Sequence, residues 1–286
     1  MPSYGIQAGH CGTAWALHMR TELLFLWCSA CGGAACAEMA PEPPKPAAHT
    51  VRAVESWKVH VDDRLLEGAD AELGARALQL LGMRLADIRI VVAPDRLKSL
   101  QEVPIWLDRT HGRLAAMQYH PSPGWLREHG YSTDLAKCVH IPDARGFADP
   151  KHQHRQPWSV LHELAHAYHD RVLSFDEPKI KAAWQQAKDS GRYDAILLID
   201  GRKTRHYALT DQKEFFAEMS ESYFGMNDFY PFNRAELLRE NPEVYRLLRE
   251  IWGPVPDPPK ESPEIRQTGP SKNAGSDAGS KERSGR

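Results

Sequence analysis

The stretch VLHELAHAYHD, Val160–Asp170, holds three histidines and a glutamate in eleven residues. Pro157 suits a first helical position, and Leu161, Leu164, Ala165, Tyr168 and Val172 recur at spacings of three and four, which predicts a helix with one apolar stripe. On that helix His162 and His166 stand about 40° apart on a different flank and about 6 Å apart along the axis. Two imidazoles so placed converge on one zinc ion at Zn–N distances of about 2.0–2.1 Å, and Glu163, beside the first, is placed to work on a water rather than to bind the metal. This is the H-E-x-x-H spacing of zinc hydrolases, and one Zn2+ per chain is expected. His169 shares the flank, but about 10 Å of helix rise separates it from His162, so it is expected behind the metal shell or at the surface.

Two histidines leave a tetrahedral site incomplete. The next candidates lie roughly four dozen residues downstream in RHYALTDQKEFFAEMSESYFG, Arg205–Gly225. Phe215, Phe216, Met219 and Tyr223 give a helix its apolar side, and Glu214 and Glu218 stand at i and i+4 on another face. One carboxylate closes the metal shell, and the other orients a ligating imidazole by accepting its free N–H. Asp211-Gln212-Lys213-Glu214 also resembles a capping box, which would make Glu214 a cap and Glu218 the ligand. Spacing alone leaves both assignments open. His152 and His154, in KHQHRQPW, are read as belonging to a solvated loop.

Around these segments the chain organises itself simply. Its 286 residues carry a formal net charge of -2, with 42% hydrophobic and 26% charged residues, the balance of a globular protein and no footprint for nucleic acid. PEPPKPAAHT, Pro41–Thr50, reads as a proline-rich linker, so that 38–50 precedes a folded unit over 51–253 and a Pro/Ser/Gly/Lys-rich tail covers 254–286. Strands are expected at Trp57–Val61, Ile88–Val92, Val103–Leu107, Ala115–Tyr119 and Cys138–Ile141. Helices are expected near 67–82, 121–129, 178–189, 211–224, 234–240 and 242–252, with Asn241, Pro242 and Gly253 as N-cap, first-turn proline and terminal left-handed cap. A small mixed sheet followed by a helical half predicts an α+β domain.

The N-terminal apolar run Leu23–Ala37 follows Met19-Arg20 and ends in Ala35-Cys36-Ala37, the pattern of a signal-peptide region over 1–37, with Met19 as an alternative translation start. Four of the five cysteines lie in or before that run, and Cys138 alone remains, a buried hydrophobe rather than half of a disulfide. A secreted or periplasmic protein follows, with no membrane span and a monomeric state expected.

HELAH, with Tyr207 seven residues ahead of the first glutamate in EFFAE, resembles the catalytic domain of anthrax toxin lethal factor and related metallopeptidases, which include proline-specific endopeptidases. The resemblance covers about residues 155–225 specifically. It implies a zincin-like fold of the HExxH…E kind, with His162, His166 and Glu214 as zinc ligands, Glu163 as general base, Tyr207 as oxyanion stabiliser and Glu218 behind the ligands. Ala165 stands where the family commonly has glycine, and a small residue is kept. The expected function is zinc-dependent hydrolysis of peptide bonds in a peptide or protein substrate, by Glu163-assisted attack of a water at the ion's open position. Ala115–His120 is the expected sheet edge for an extended substrate. A zinc hydrolase of non-peptide amides and a non-enzymatic zinc-containing binding module are the alternatives, and an unliganded Glu163 argues against the second.

Overall fold

The computed structural model describes residues 41–255. The signal-peptide reading falls on residues outside that range, as does all of the C-terminal tail beyond 255. The described chain is mixed α+β, with a small sheet leading into a mainly helical half.

The sheet starts earlier than the sequence reading places it. Strand β1, His49–Val54, takes in the end of the proline-rich segment and pairs antiparallel with β2, Trp57–Asp62, across a two-residue turn. Glu55 and Ser56 both have positive φ (48° and 74°), as a tight hairpin turn of this twist requires. The segment before it is tied down as well: Lys45 Nζ donates to Gly130 O at 2.8 Å, and Thr110 Oγ1 to Pro44 O at 2.8 Å. It therefore does not behave as a free linker.

A second correction concerns Ile88–Val92, which continues helix α1, Ala71–Val91, instead of forming a strand. Its β-branched residues favour a strand locally, but Ala77, Leu81, Leu85 and Ile88 keep one helical face buried, and tertiary packing overrides the propensity. Gly74 lets α1 begin close to the chain after β2, since a Cβ there would lie 1.8 Å from Leu65 O. Helix α2, Pro94–Gln101, completes the crossover to β3, Ile105–Leu107, which runs parallel to β2.

Next come β4, Gln118–Tyr119; helix α3, Pro123–Glu128; and β5, Val139–Ile141. The strand order is β1-β2-β3-β5-β4, with β3 and β5 parallel and β4 antiparallel to β5, so β4 forms an edge, as Ala115–His120 was expected to do. Helices α4, Ala144–Phe147, and α5, Pro150–Arg155, lead to α6, Ser159–Tyr168, which carries the histidine motif and continues into a π-helical turn, His169–Leu173. His152 and His154 thus sit on a short helix rather than a loop.

The helical half follows the predicted spans closely: α7, Pro178–Asp189; a small hairpin of β6, Ile196–Leu197, and β7, Lys203–Thr204; α8, Gln212–Phe224; α9, Arg234–Glu240; and α10, Pro242–Trp252. Asn241 caps α10 by accepting from Val244 N, and Gly253 ends it at φ 79°. Trp252 is the anchor of this half. Its ring packs against Tyr168 and Phe216, its Nε1 donates to Ser220 Oγ at 2.9 Å, and Tyr223 Oη donates to Gly253 O at 2.8 Å. These contacts press α10 and α8 onto α6, which fixes the distance between the two halves of the site. No helix among the described residues is long and apolar enough to cross a membrane.

Candidate metal centre

Helix α6 buries Val160, Leu161, Leu164, Ala165, Ala167 and Tyr168, and this stripe aims the opposite flank, His162 and His166, at α8. The close approach of the two helices depends on Gly225 at the end of α8. A Cβ there would lie 1.8 Å from Cε2 of Trp158, at the start of α6. Across the contact, His162 Nε2 lies 3.1 Å from His166 Nε2 and 3.1 Å from Glu214 Oε2, and His166 Nε2 lies 3.4 Å from Glu214 Oε2.

Those three separations test whether an ion fits. Ligands on a tetrahedral zinc with bonds of about 2.0–2.1 Å stand about 3.3 Å apart. Three donor atoms of the right chemistry therefore stand together at close to that spacing.

The competition between Glu214 and Glu218 resolves through α8. Asp211 Oδ1 accepts from Lys213 N and Glu214 N, so aspartate alone caps the helix and the Glu214 side chain is turned to the histidines. Burial works against ionisation of Glu214, but the His166 charge and the hydrogen bond with His162 outweigh it and hold the carboxyl well below the usual range. Glu218 lies one turn deeper, where Asn227 Nδ2 donates to its Oε2 at 3.0 Å and to its carbonyl at 2.7 Å.

The acceptor for the other nitrogen of His162 is a residue the sequence reading did not single out. His162 Nδ1 lies 2.7 Å from Glu221 Oε1 and 3.7 Å from Glu218 Oε1. Glu221 therefore holds the ring, and Glu218 stands beside it without bonding to it. Glu214, Glu218 and Glu221 occupy i, i+4 and i+7 of α8, one face, which is the signal that would have found the third acid. Burial disfavours a charged His162 ring, but hydrogen bonds with Glu214 and Glu221 prevail and raise its pKa well above the histidine value. Burial, then repulsion by Glu221, raises Glu218 well above the carboxylate range and Asp228 to about 7.

No protein-family model, curated protein or solved structure matches the chain. The lethal-factor resemblance therefore rests on the motif residues alone.

Glu163 meets the sheet edge, where Tyr119 N donates to its Oε2 at 2.7 Å. The strand pairing explains this. His120 N and Lys137 N close hydrogen bonds between β4 and β5, so alternation turns the N–H of Tyr119 outward, toward α6. Burial raises the Glu163 pKa, opposed by the charges of His166 and His162. Tyr207 lies in a 3-10 turn, Tyr207–Leu209, packed on α8, and remains 41% exposed. Burial of its hydroxyl end, then the charge of Glu214, raises the phenol pKa, so its proton is firmly held.

His169 stands apart from the His162–His166–Glu214 group, as helix rise requires, but it is not at the surface. It is fully buried, its ring packs between Phe175 and Phe216, and neither nitrogen has a hydrogen-bond partner. Burial lowers its pKa to about 3.

Proposed function

We propose that the chain is a zinc-dependent metalloendopeptidase with a zincin-like fold, in which His162, His166 and Glu214 hold the ion. The observation that carries this reading is the near-equilateral triangle of His162 Nε2, His166 Nε2 and Glu214 Oε2, with 3.1 to 3.4 Å sides, beside a glutamate that takes no part in it. A structural zinc closes with four protein ligands, whereas three with an adjacent free carboxylate is a hydrolytic arrangement. A divalent ion in such a site supplies Lewis acidity, polarising a carbonyl and making a water acidic near neutral pH.

The protein's own residues supply the rest. Glu163 takes the proton from the attacking water; its Oε2 is anchored by Tyr119 N, which leaves Oε1 to accept, and its raised pKa brings it nearer to the working pH of a base. The Glu163 proton then passes to the leaving amine. Tyr207, kept protonated, donates its hydroxyl to the oxygen on which negative charge develops. The β4 edge beside α6 receives the extended peptide through groups other than Tyr119 N, which Glu163 already takes. Cleavage of a randomised peptide library by the zinc-loaded chain, abolished by a chelator and restored by zinc, is the expected outcome. Hydrolysis confined to non-peptide amides would replace this reading with the other zinc-hydrolase class.

A further inference from the structure

Around β5, a second group of ionisable side chains is buried in the sheet. Asp108, just past β3, is fully buried and accepts from three imidazoles: His49 Nε2 at 2.7 Å on Oδ1, and His111 Nδ1 at 2.6 Å and His140 Nε2 at 2.7 Å on Oδ2. His120 Nε2 in turn lies 3.1 Å from His140 Nδ1. The five residues come from β1, the end of β3, the loop after it, the end of β4, and β5, and His140 is itself fully buried.

Such a cluster is costly to build. A buried carboxylate needs a compensating cation, and every side-chain hydrogen bond to Asp108 comes from an imidazole rather than from arginine or lysine.

We propose that Asp108, His111 and His140 form a second divalent-metal site, independent of the first. The three donor atoms lie within 4.8 Å of one another. Donors on a tetrahedral ion with bonds of about 2.0–2.1 Å stand about 3.3 Å apart. Asp108 Oδ2 is 2.6 and 2.7 Å from the two nitrogens, so these gaps widen by about 0.6–0.7 Å when the ion enters. Two imidazoles and one carboxylate select zinc, iron(II) or nickel over calcium and magnesium. The surroundings already fit a ligated form. Asp108 Oδ1 keeps the His49 N–H, and His140, bound through Nε2, carries its proton on Nδ1 and donates it to His120 Nε2. His111, His140 and His120 then carry their protons on the other ring nitrogen, while His49 keeps its own. Because the cluster joins β1, β3, β5 and the β4 edge, the ion's role is to hold the sheet.

Zinc bound per chain, measured after loading and exhaustive dialysis, tests this. The full chain should retain two equivalents, His166→Ala one, His111→Gln one, and the double variant none. One equivalent in the full chain and none in His166→Ala overturns the proposal, whatever the folding of the cluster variants, and leaves a hydrogen-bonded network in its place. One equivalent that survives His166→Ala and is lost in His111→Gln would instead overturn the first site and keep the second. Zinc should also raise the Tm of His166→Ala by several degrees, a shift that His111→Gln removes when the two are combined.

Discussion

His162 Nδ1 is held by Glu221 Oε1 at 2.7 Å, while Glu218 Oε1 stays 3.7 Å away. Glu221 thus sets the tautomer and angle of the His162 ring, a ligand in the proposed site, from behind. Partners of this kind typically contribute about 10- to 100-fold in metal affinity. Glu221→Ala is expected to weaken zinc binding by that factor and Glu218→Ala by less, measured by competition with a chromophoric chelator. Equal losses would remove the distinction drawn between the two acids.

Tyr207→Phe removes one hydroxyl and no ligand. Turnover should fall by about 10²- to 10³-fold, the usual loss for one oxyanion donor, with zinc content unchanged. An unaltered kcat on any cleaved peptide would take the oxyanion role from Tyr207.

His169 makes stability pH-dependent in a defined direction. Its folded pKa is about 3 and its ordinary value 6.5. Above 6.5 the ring is neutral in both states; as the pH falls from 6.5 toward 3, the unfolded chain takes a proton that the folded one refuses, and stability is lost. Between pH 7 and 5 the loss is about 2 kcal/mol by linkage. His169→Leu should flatten the urea-midpoint profile by that amount, and because both ring nitrogens lack partners the variant should be no less stable than the parent at pH 5. A parallel profile would mean that His169 ionises freely.

Two glycines should respond oppositely to alanine. Gly225→Ala drives a methyl into the Trp158 ring and separates α8 from α6, a loss of about 1–3 kcal/mol that also loosens the donor triangle. Gly82, inside α1, has only Val54 Cγ1 nearby, at 3.6 Å, so Gly82→Ala should gain up to about 1 kcal/mol of helix propensity. Thermal melts and zinc affinity of the pair separate the two effects.

The parts of this molecule that were legible in the sequence are those governed by helical period. His162 and His166 face one way because four residues make slightly more than a turn, and the caps at Asn241 and Gly253 lie where local chemistry puts them. Ile88–Val92 misled because β-branched residues read alike on a strand and on a buried helix face, and His49–Thr50 because prolines just upstream conceal the start of β1. Choosing Glu214 over Glu218 required knowing how deep each sits when α8 crosses α6, a tertiary fact. The Asp108 cluster was invisible for a related reason: its five members lie on separate segments and share no spacing.

The central claim is that Glu163 activates a water for peptide hydrolysis beside a zinc held by His162, His166 and Glu214. Comparing peptide-library cleavage by Glu163→Gln and by the parent chain, each with its zinc content determined, tests it most directly. The account expects the variant to keep the parent's zinc and to lose at least about 10²-fold in cleavage rate. Cleavage at the parent's rate by a zinc-loaded Glu163→Gln, or no peptide cleavage by the zinc-loaded parent, would contradict it.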